Sequence, residues 1–105
     1  MMVLVLVAAS PWAAAQTTVD ANWVAITFKA NCAICHAEDF AGTALGNRLH
    51  VKDLRTQEVQ ERSPKELAQT IKVGKDNMPA FGDRLDSDQI QRLVEYIRHK
   101  APAAH

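Results

Sequence analysis

Hydrophobic and polar positions follow a helical period in three stretches of the chain. The first stretch extends from about residue 20 to the pair of cysteines. Apolar side chains recur there with the i, i+3, i+4, i+7 spacing of one helix face, at Ala21, Val24, Ala25 and Phe28. Asp20 is suited to cap the start of this helix. Trp23 and Ile26 fall outside the stripe, so the pattern predicts a helix that is apolar on more than one side.

The second helix is predicted to begin at Ser63, which can cap it, with Pro64 at the first helical position. Glu66 occupies the position of the acid in a capping box. Leu67 and Ile71 form the inner stripe, and Gly74 is a natural stop for the helix.

The third helix is predicted to begin near Asp86, which with Gln89 repeats the pattern of a cap and a capping-box partner. Its apolar face is the most regular in the chain and consists of Ile90, Leu93, Val94 and Ile97. Pro102 ends the pattern. Positive charge in the last turn, from Arg98 and Lys100, favours this end of a helix.

The segment between the cysteines and Ser63 has weak periodicity. Gly42 and Gly46 interrupt it, which favours a loop, and the polar residues 57–62 predict a short helix at best. No segment alternates as a strand would. The chain is therefore predicted to be all-α, with three main helices in a single domain.

The first fifteen residues differ from the rest because they carry no charged side chain. An apolar run over residues 3–9 precedes an A-x-A cleavage sequence at 13–15, which is typical of a secretory signal peptide. We therefore expect a leader over 1–15, a mature domain over 16–105, and a periplasmic or secreted location. No Lys or Arg precedes Lys29, so either the α-amino group replaces the usual positive region or the true start lies upstream. A membrane anchor is the alternative, but the apolar run is shorter than the roughly 20 residues that a span needs.

The charges indicate which partners the chain lacks. Twelve Lys and Arg balance twelve Asp and Glu, and the signs are mixed along the sequence. A nucleic-acid-binding protein would show a basic stripe, so no nucleic-acid partner is expected. No membrane span is expected once the leader is removed.

The two cysteines and an adjacent histidine carry the most specific chemistry. Cys32, Cys35 and His36 have the spacing C-x-x-C-H. On a helical turn these positions share a face, so two thiols can form thioethers with the vinyl groups of a haem while the histidine lies under the iron. The spacing is the signature of c-type haem attachment. We therefore predict one covalent haem c, with its iron held by His36.

Three other uses of the cysteines fit the sequence less well. A zinc site needs four ligands, and no second CxxC or HxxxH is present. A thioredoxin-like redox pair would accompany a βαβ pattern, which the chain lacks. A structural disulfide suits a secreted chain but leaves His36 unexplained.

A six-coordinate iron needs a second axial ligand, and Met78 is the best candidate. It is the only methionine outside the leader, and Pro79 follows it in the loop between the second and third helices. A thioether on a loop stiffened by proline suits an axial ligand. Met78 as a flexible core residue is the structural alternative, and His50 is the second candidate for the ligand.

With these motifs the chain resembles the class I monohaem cytochromes c, in particular the short bacterial type. The resemblance covers about residues 21–100. It rests on the attachment motif at 32–36, on the ligand loop Met-Pro-Ala-Phe-Gly at 78–82, and on the Tyr-Ile-Arg of the last helix at 96–98. It implies that the first and third helices cross, with Phe28 against Leu93 and Tyr96.

The resemblance also places the segment 46–49 over the haem and marks two departures. Val24 occupies a position where many relatives have a glycine that brings the terminal helices together, so the crossing is either wider or depends on Ala25. Asn47 follows Gly46 where many relatives have a proline whose carbonyl orients the axial histidine. The acceptor for the His36 ring is therefore open, although a backbone carbonyl is expected.

A histidine and a methionine together close the iron to other ligands, which favours electron transfer over substrate chemistry. We therefore predict a monomeric electron carrier, not an enzyme, that meets transient redox partners through a small interface. Ala80 and Phe81 are candidates for its apolar patch, with Lys29, Lys72 and Lys75 at the rim, and Phe81 as an ordinary packing residue is the alternative. Zero net charge predicts weak long-range steering. A haem peroxidase or gas-binding protein is one alternative. A fixed cytochrome subunit of a larger oxidoreductase is the other.

Overall fold

The structure is a computed structural model that describes residues 2–5 and 22–101. Its helices are α1 (22–31), α2 (Ala33–His36), α3 (Ala44–Arg48), α4 (Gln57–Gln60), α5 (Pro64–Val73) and α6 (Ser87–Lys100). No strand occurs among the described residues, so the all-α prediction is confirmed. Residues 2–5 have no regular structure. The rest of the predicted leader lies outside the described residues, as do the predicted cap Asp20 and the helix stop Pro102. None of the helices described is long and apolar enough to cross a membrane.

The caps of the two long helices form as the sequence predicts. The Ser63 hydroxyl accepts a hydrogen bond from the Glu66 amide at 3.1 Å, and α5 ends at Gly74 with a φ of 76°. Asp86 and Gln89 form a complete capping box, with hydrogen bonds of 2.8 and 2.9 Å. These bonds satisfy amides that have no partner inside the helix.

The prediction of a loop around Gly42 and Gly46 was wrong for Ala44–Arg48, which is the short helix α3. Thr43 caps α3 by accepting a hydrogen bond from the Gly46 amide at 3.0 Å. Gly46 is buried, and a Cβ atom there would overlap the carbonyl oxygen of Cys35. This glycine therefore permits close packing of α3 on α2 and does not break the chain.

One face of α1 is buried, but it is not the full predicted face. Val24 and Phe28 are buried, as is Thr27, whereas Ala25 is exposed and Ile26 is 65% exposed. The buried face is therefore centred between Val24 and Phe28 and turns toward Thr27, away from Ala25. Ala25 consequently does not replace the missing glycine at the helix crossing.

An aromatic cluster joins α1 to α6. The ring centroids of Phe28 and Tyr96 are 5.4 Å apart, and Phe40 lies 4.8 Å from Phe28 and 5.9 Å from Tyr96. The rings are tilted to one another, as aromatic pairs prefer. Leu93 of α6 is 1% exposed in the same core. The predicted crossing of the first and third helices is therefore confirmed.

The loop after α5 turns back along that helix before α6 begins. The Phe81 amide donates to the Ile71 carbonyl at 2.9 Å, and the Gly82 amide donates to the Lys72 carbonyl at 3.0 Å. Helices α5 and α6 pack against each other. Together with α1 and α2 they enclose the interior cavity of the molecule.

Candidate cofactor site

A cavity of about 290 Å³ lies between α1–α2 on one side and α5–α6 on the other. Its walls are largely apolar, with contributions from Phe28, Leu54, Ile71, Phe81 and Leu93. Cys32, His36 and Met78 also line it, so three of the four predicted site residues meet at one cavity. Cys35 is half-buried and is not among the lining residues.

Helix α2 positions His36 at the wall of the cavity. Nδ1 of its ring is buried and has no hydrogen-bond partner. Burial lowers the pKa of the imidazole below its usual value, while the backbone of Lys52 acts in the opposite direction. Burial therefore favours the neutral ring, which is the form that binds a metal.

The cysteine side of the site is a short turn. The Cys32 amide donates to the Phe28 carbonyl at 2.8 Å, so α1 continues almost directly into α2. Burial raises the pKa of the Cys32 thiol to about 11, so this thiol is protonated at neutral pH. In the described part of the chain, no three His, Cys, Asp or Glu side chains are grouped to hold a metal ion.

The carbonyl groups at the end of α2 are satisfied by the segment that follows. The Thr43 hydroxyl donates to the Ile34 carbonyl at 2.7 Å, and the Thr43 amide donates to the Cys35 carbonyl at 3.0 Å. The Gly42 amide donates to the His36 carbonyl at 2.9 Å. Since α2 has only four residues, these bonds hold a turn that would not be stable alone.

Met78 is presented by a tight turn on the other side of the cavity. Lys75 and Met78 exchange two backbone hydrogen bonds of 3.1 and 2.8 Å. The Asn77 side chain donates to the Leu49 carbonyl at 3.1 Å and so ties this turn to the segment after α3. At Gly74 a Cβ atom would lie 2.6 Å from the Met78 carbonyl oxygen, so the turn packs directly on the end of α5.

Two further predicted residues have different surroundings from Met78. His50 also borders the cavity, but it is exposed and has a φ of 58°. Phe81 is only 6% exposed, and the Arg84 guanidinium lies 4.5 Å from its ring centroid. The expectation of Phe81 in a surface docking patch is therefore wrong, because its ring fills the core. Ala80 is exposed as expected.

The charged groups of the cavity lining are Lys52, Arg62, Lys75 and Asp76. Of these, the sequence indicated only Lys75, and only as part of the rim of the docking patch. The four groups come from three separate segments of the chain, since Lys75 and Asp76 are neighbours, and no periodicity or motif connects these segments.

Residues 20–97 match the family described as "Cytochrome C oxidase, cbb3-type, subunit III". A cytochrome c6 of Aphanizomenon flos-aquae is 38% identical over 80 residues, which are 73% of this chain and 86% of that protein. A cytochrome c6 of Leptolyngbya boryana is 39% identical over 74 residues, which are 70% of this chain and 85% of that protein.

A solved structure has the same fold. The KustC0563 c-type cytochrome superposes with a TM-score of 0.68 over 73% of this chain and 95% of its own, at 24% identity. The match of the family over most of the described residues, the cytochrome c6 relatives and the shared fold agree. The chain therefore belongs to the class I monohaem cytochromes c, all-α proteins whose cofactor is a covalently bound haem c with its iron.

Proposed function

We propose that this chain is a carrier of single electrons, with Cys32 and Cys35 as the haem attachment points and His36 and Met78 as the axial ligands. The observation that carries the proposal is the cavity itself, where Cys32, His36 and Met78 line one largely apolar space. The turn at α2 holds Cys32 and His36, and the turn at residues 75–78, far along the chain, holds Met78.

The surroundings of each side chain fit its proposed role. Burial lowers the pKa of His36 and so favours the neutral ring, which has a nitrogen lone pair free to bind the iron; its buried Nδ1 has no hydrogen-bond partner. The backbone of Lys52 acts on the same ring, so Lys52 is our candidate for the group that orients it. The Met78 thioether is a soft ligand that favours the reduced state. The haem supplies a one-electron couple when it is bound.

An electron carrier, as opposed to an enzyme, follows from the two protein ligands. With His36 and Met78 both bound, the iron has no open position for oxygen or peroxide. The tight turn at Lys75 and Met78 keeps the thioether close to the cavity and opposes its displacement. We therefore propose that the chain exchanges electrons with transient protein partners and catalyses no substrate reaction.

We also propose that residues 1–15 are a cleaved leader and that the mature domain, 16–105, works as a monomer in the periplasm or after secretion. The lack of charged side chains in residues 1–15 and the A-x-A sequence at 13–15 support secretion. The balanced charge supports brief encounters that depend little on long-range attraction.

The test of the site is the visible spectrum of the purified holoprotein and of Met78→Ala. The oxidised wild type is expected to show the weak long-wavelength band of a sulfur–iron bond, and Met78→Ala is expected to lose it. Leu85→Ala, which removes another side chain from the cavity lining, is the matched control and should keep the band.

Carbon monoxide added to the reduced proteins should bind to Met78→Ala and leave the wild type unchanged at neutral pH. An unaltered spectrum in Met78→Ala would refute Met78 as a ligand. Loss of the band in His50→Ala alone would transfer the role to His50. Ready binding of carbon monoxide to the wild type would favour the peroxidase or gas-binding alternative.

A fixed subunit of a larger oxidoreductase is the second candidate function, because the matching family is described as a subunit of an oxidase. Size-exclusion chromatography of the native protein separates this candidate from the free carrier. Elution at the mass of the mature chain supports the carrier. Elution only with other subunits would support the fixed role.

A further inference from the structure

A charged cluster lies at one edge of the cavity and is not explained by the ligands. Lys52, Arg62 and Lys75 are the lysine and arginine side chains of the cavity lining. Glu58 is not part of that lining, yet its carboxylate accepts a hydrogen bond from Nζ of Lys52 at 2.9 Å and lies 3.7 Å from the Arg62 guanidinium. One carboxylate therefore engages two of the three cations of the lining.

Helix α4 holds Glu58 in this place. Val59 is buried and anchors α4 at the cavity, while the Gln60 side chain donates to the Leu54 carbonyl at 2.7 Å. Glu58 itself is 56% exposed at its side chain. Its hydrogen bond to Lys52, helped by the charges of Lys52, Arg62 and Lys75, lowers the pKa of its carboxyl group. Glu58 is therefore an anion at neutral pH.

A haem brings two carboxylates as well as an apolar ring, and carboxylates removed from water need cations or hydrogen-bond donors. The lining offers its lysine and arginine side chains for this purpose at Lys52, Arg62 and Lys75. The two that Glu58 engages would therefore be shared between a protein carboxylate and the cofactor when the haem is bound. Asp76 of the same lining adds a second negative charge.

We propose that Glu58 is a positioning and tuning residue that lowers the reduction potential of the iron by neutralising Lys52 and Arg62. The proposal rests on the proposed function, since it requires a haem in this cavity. Reduction adds one electron to the iron, and a fixed negative charge nearby opposes that addition. Glu58 acts through the cations and has no contact with the cavity of its own.

Through Lys52, Glu58 also has a structural influence on the site, in addition to the influence of its charge. The Lys52 side chain pairs with Glu58, and Lys52 lines the same cavity as His36. Glu58 therefore also restrains a segment of the cavity wall. An isosteric neutral variant and a shorter charged variant separate these two effects, because only the first removes the charge.

The experiment measures the reduction potentials of the holoproteins Glu58→Gln and Glu58→Asp by spectroelectrochemistry. Glu58→Gln is expected to shift the oxidised–reduced equilibrium about threefold toward the reduced form at low salt, and less at high salt. Glu58→Asp is expected to stay near the wild type. Glu61→Gln is the matched control, because Glu61 directly follows α4 and accepts a hydrogen bond from Gln57 instead of a lining cation.

Lys52→Met provides an independent measurement that does not depend on the folding of the Glu58 variants. It removes the paired cation while keeping the backbone, and should shift the equilibrium toward the oxidised form. Equal shifts in Glu58→Gln and Glu61→Gln, or no shift in Glu58→Gln and Lys52→Met, would overturn the proposal. If the wild type shows the sulfur–iron band but the variants show no shift, the role of Glu58 is refuted and the proposed function stands. If the wild type lacks the band, the proposed axial ligation is refuted first.

Discussion

At the scale of single residues, side chains with distinctive chemistry were predictable and backbone contacts were not. Cys32 and His36 belong to a known spacing, Met78 is the only methionine outside the predicted leader, and the structure brings all three to one cavity. The influence of the Lys52 backbone on the pKa of His36 could not be predicted from the sequence, because every residue has a backbone carbonyl. The same holds for Gly46, whose role depends on an oxygen atom of Cys35.

Gly46→Ala is expected to destabilise the protein because the new Cβ atom overlaps the Cys35 carbonyl oxygen. Forcing the two segments apart should lower the free energy of unfolding by about 1–3 kcal/mol. Denaturant unfolding of the holoprotein measures this change. Ala44→Ser, at an exposed position of the same helix, is the control. Equal stability of Gly46→Ala and wild type would show that α3 moves freely relative to α2.

Asp53 is expected to make stability depend on pH in the acid range. Its hydrogen bond from Arg55 lowers the pKa of the carboxyl group below 3.8. The unfolded chain therefore takes up this proton at a higher pH than the folded chain does. The contribution is present above about 3.8 and is lost as the pH falls through the lower folded pKa. It is small, because both side chains are about 30% exposed.

Urea unfolding of Asp53→Asn and wild type at several pH values tests this expectation. The wild type should be the more stable at pH 7, and the difference should shrink below pH 3.8. Asp83→Asn removes an exposed carboxylate from the turn before α6 and controls for the loss of charge. A difference between Asp53→Asn and wild type that stays constant down to the lowest pH would contradict the role of the Arg55 pair.

At the scale of elements, the long helices were predictable because their caps and apolar stripes are local signals. Ser63 and Asp86 begin α5 and α6 as the sequence indicates. The five-residue helix α3 was missed, since a helix that short has little stability of its own and forms through contacts with α2. The exposure of Ala25 was also not predictable from local signals, because the packing of α6 determines which side of α1 is covered.

Asp86→Ala is expected to weaken the start of α6. It removes the side-chain acceptor for the Gln89 amide, whereas the backbone amide of residue 86 that donates to the Gln89 side chain is retained. The free energy of unfolding should fall by about 1 kcal/mol. Denaturant titration against Asp83→Ala, which removes a charge three residues earlier, isolates the cap. A loss of equal size in both variants would assign the effect to charge alone.

At the scale of the whole molecule, the sequence predicted an all-α fold and a haem cofactor. The shared fold confirms the first prediction, and the relatives confirm the second. It could not predict the charged edge of the cavity, because Lys52, Arg62 and Lys75 meet only when three separate segments fold together. Leu93 illustrates the coupling of core and site, since it is buried among the helices and also lines the cavity.

Leu93→Ala is therefore expected to lower both stability and the protection of the cofactor. Removing a side chain that is 1% exposed should lower the free energy of unfolding by about 2–5 kcal/mol. Val73→Ala, at a position that is 55% exposed, should cost less than about 0.5 kcal/mol. Chemical denaturation followed by haem absorbance measures both variants. Similar midpoints for the two would show that the cavity wall contributes little to the fold.

The hydrogen bonds from Gly42 and Thr43 to the end of α2 determine how the site fluctuates. Three consecutive carbonyls, at residues 34–36, depend on two neighbouring residues of one loop. The α2 turn cannot fray one bond at a time, because detaching that loop exposes all three acceptors together. Local opening is thus a single cooperative event. Hydrogen exchange at the Gly42 and Thr43 amides then reports how often His36 loses this support during the lifetime of the folded protein.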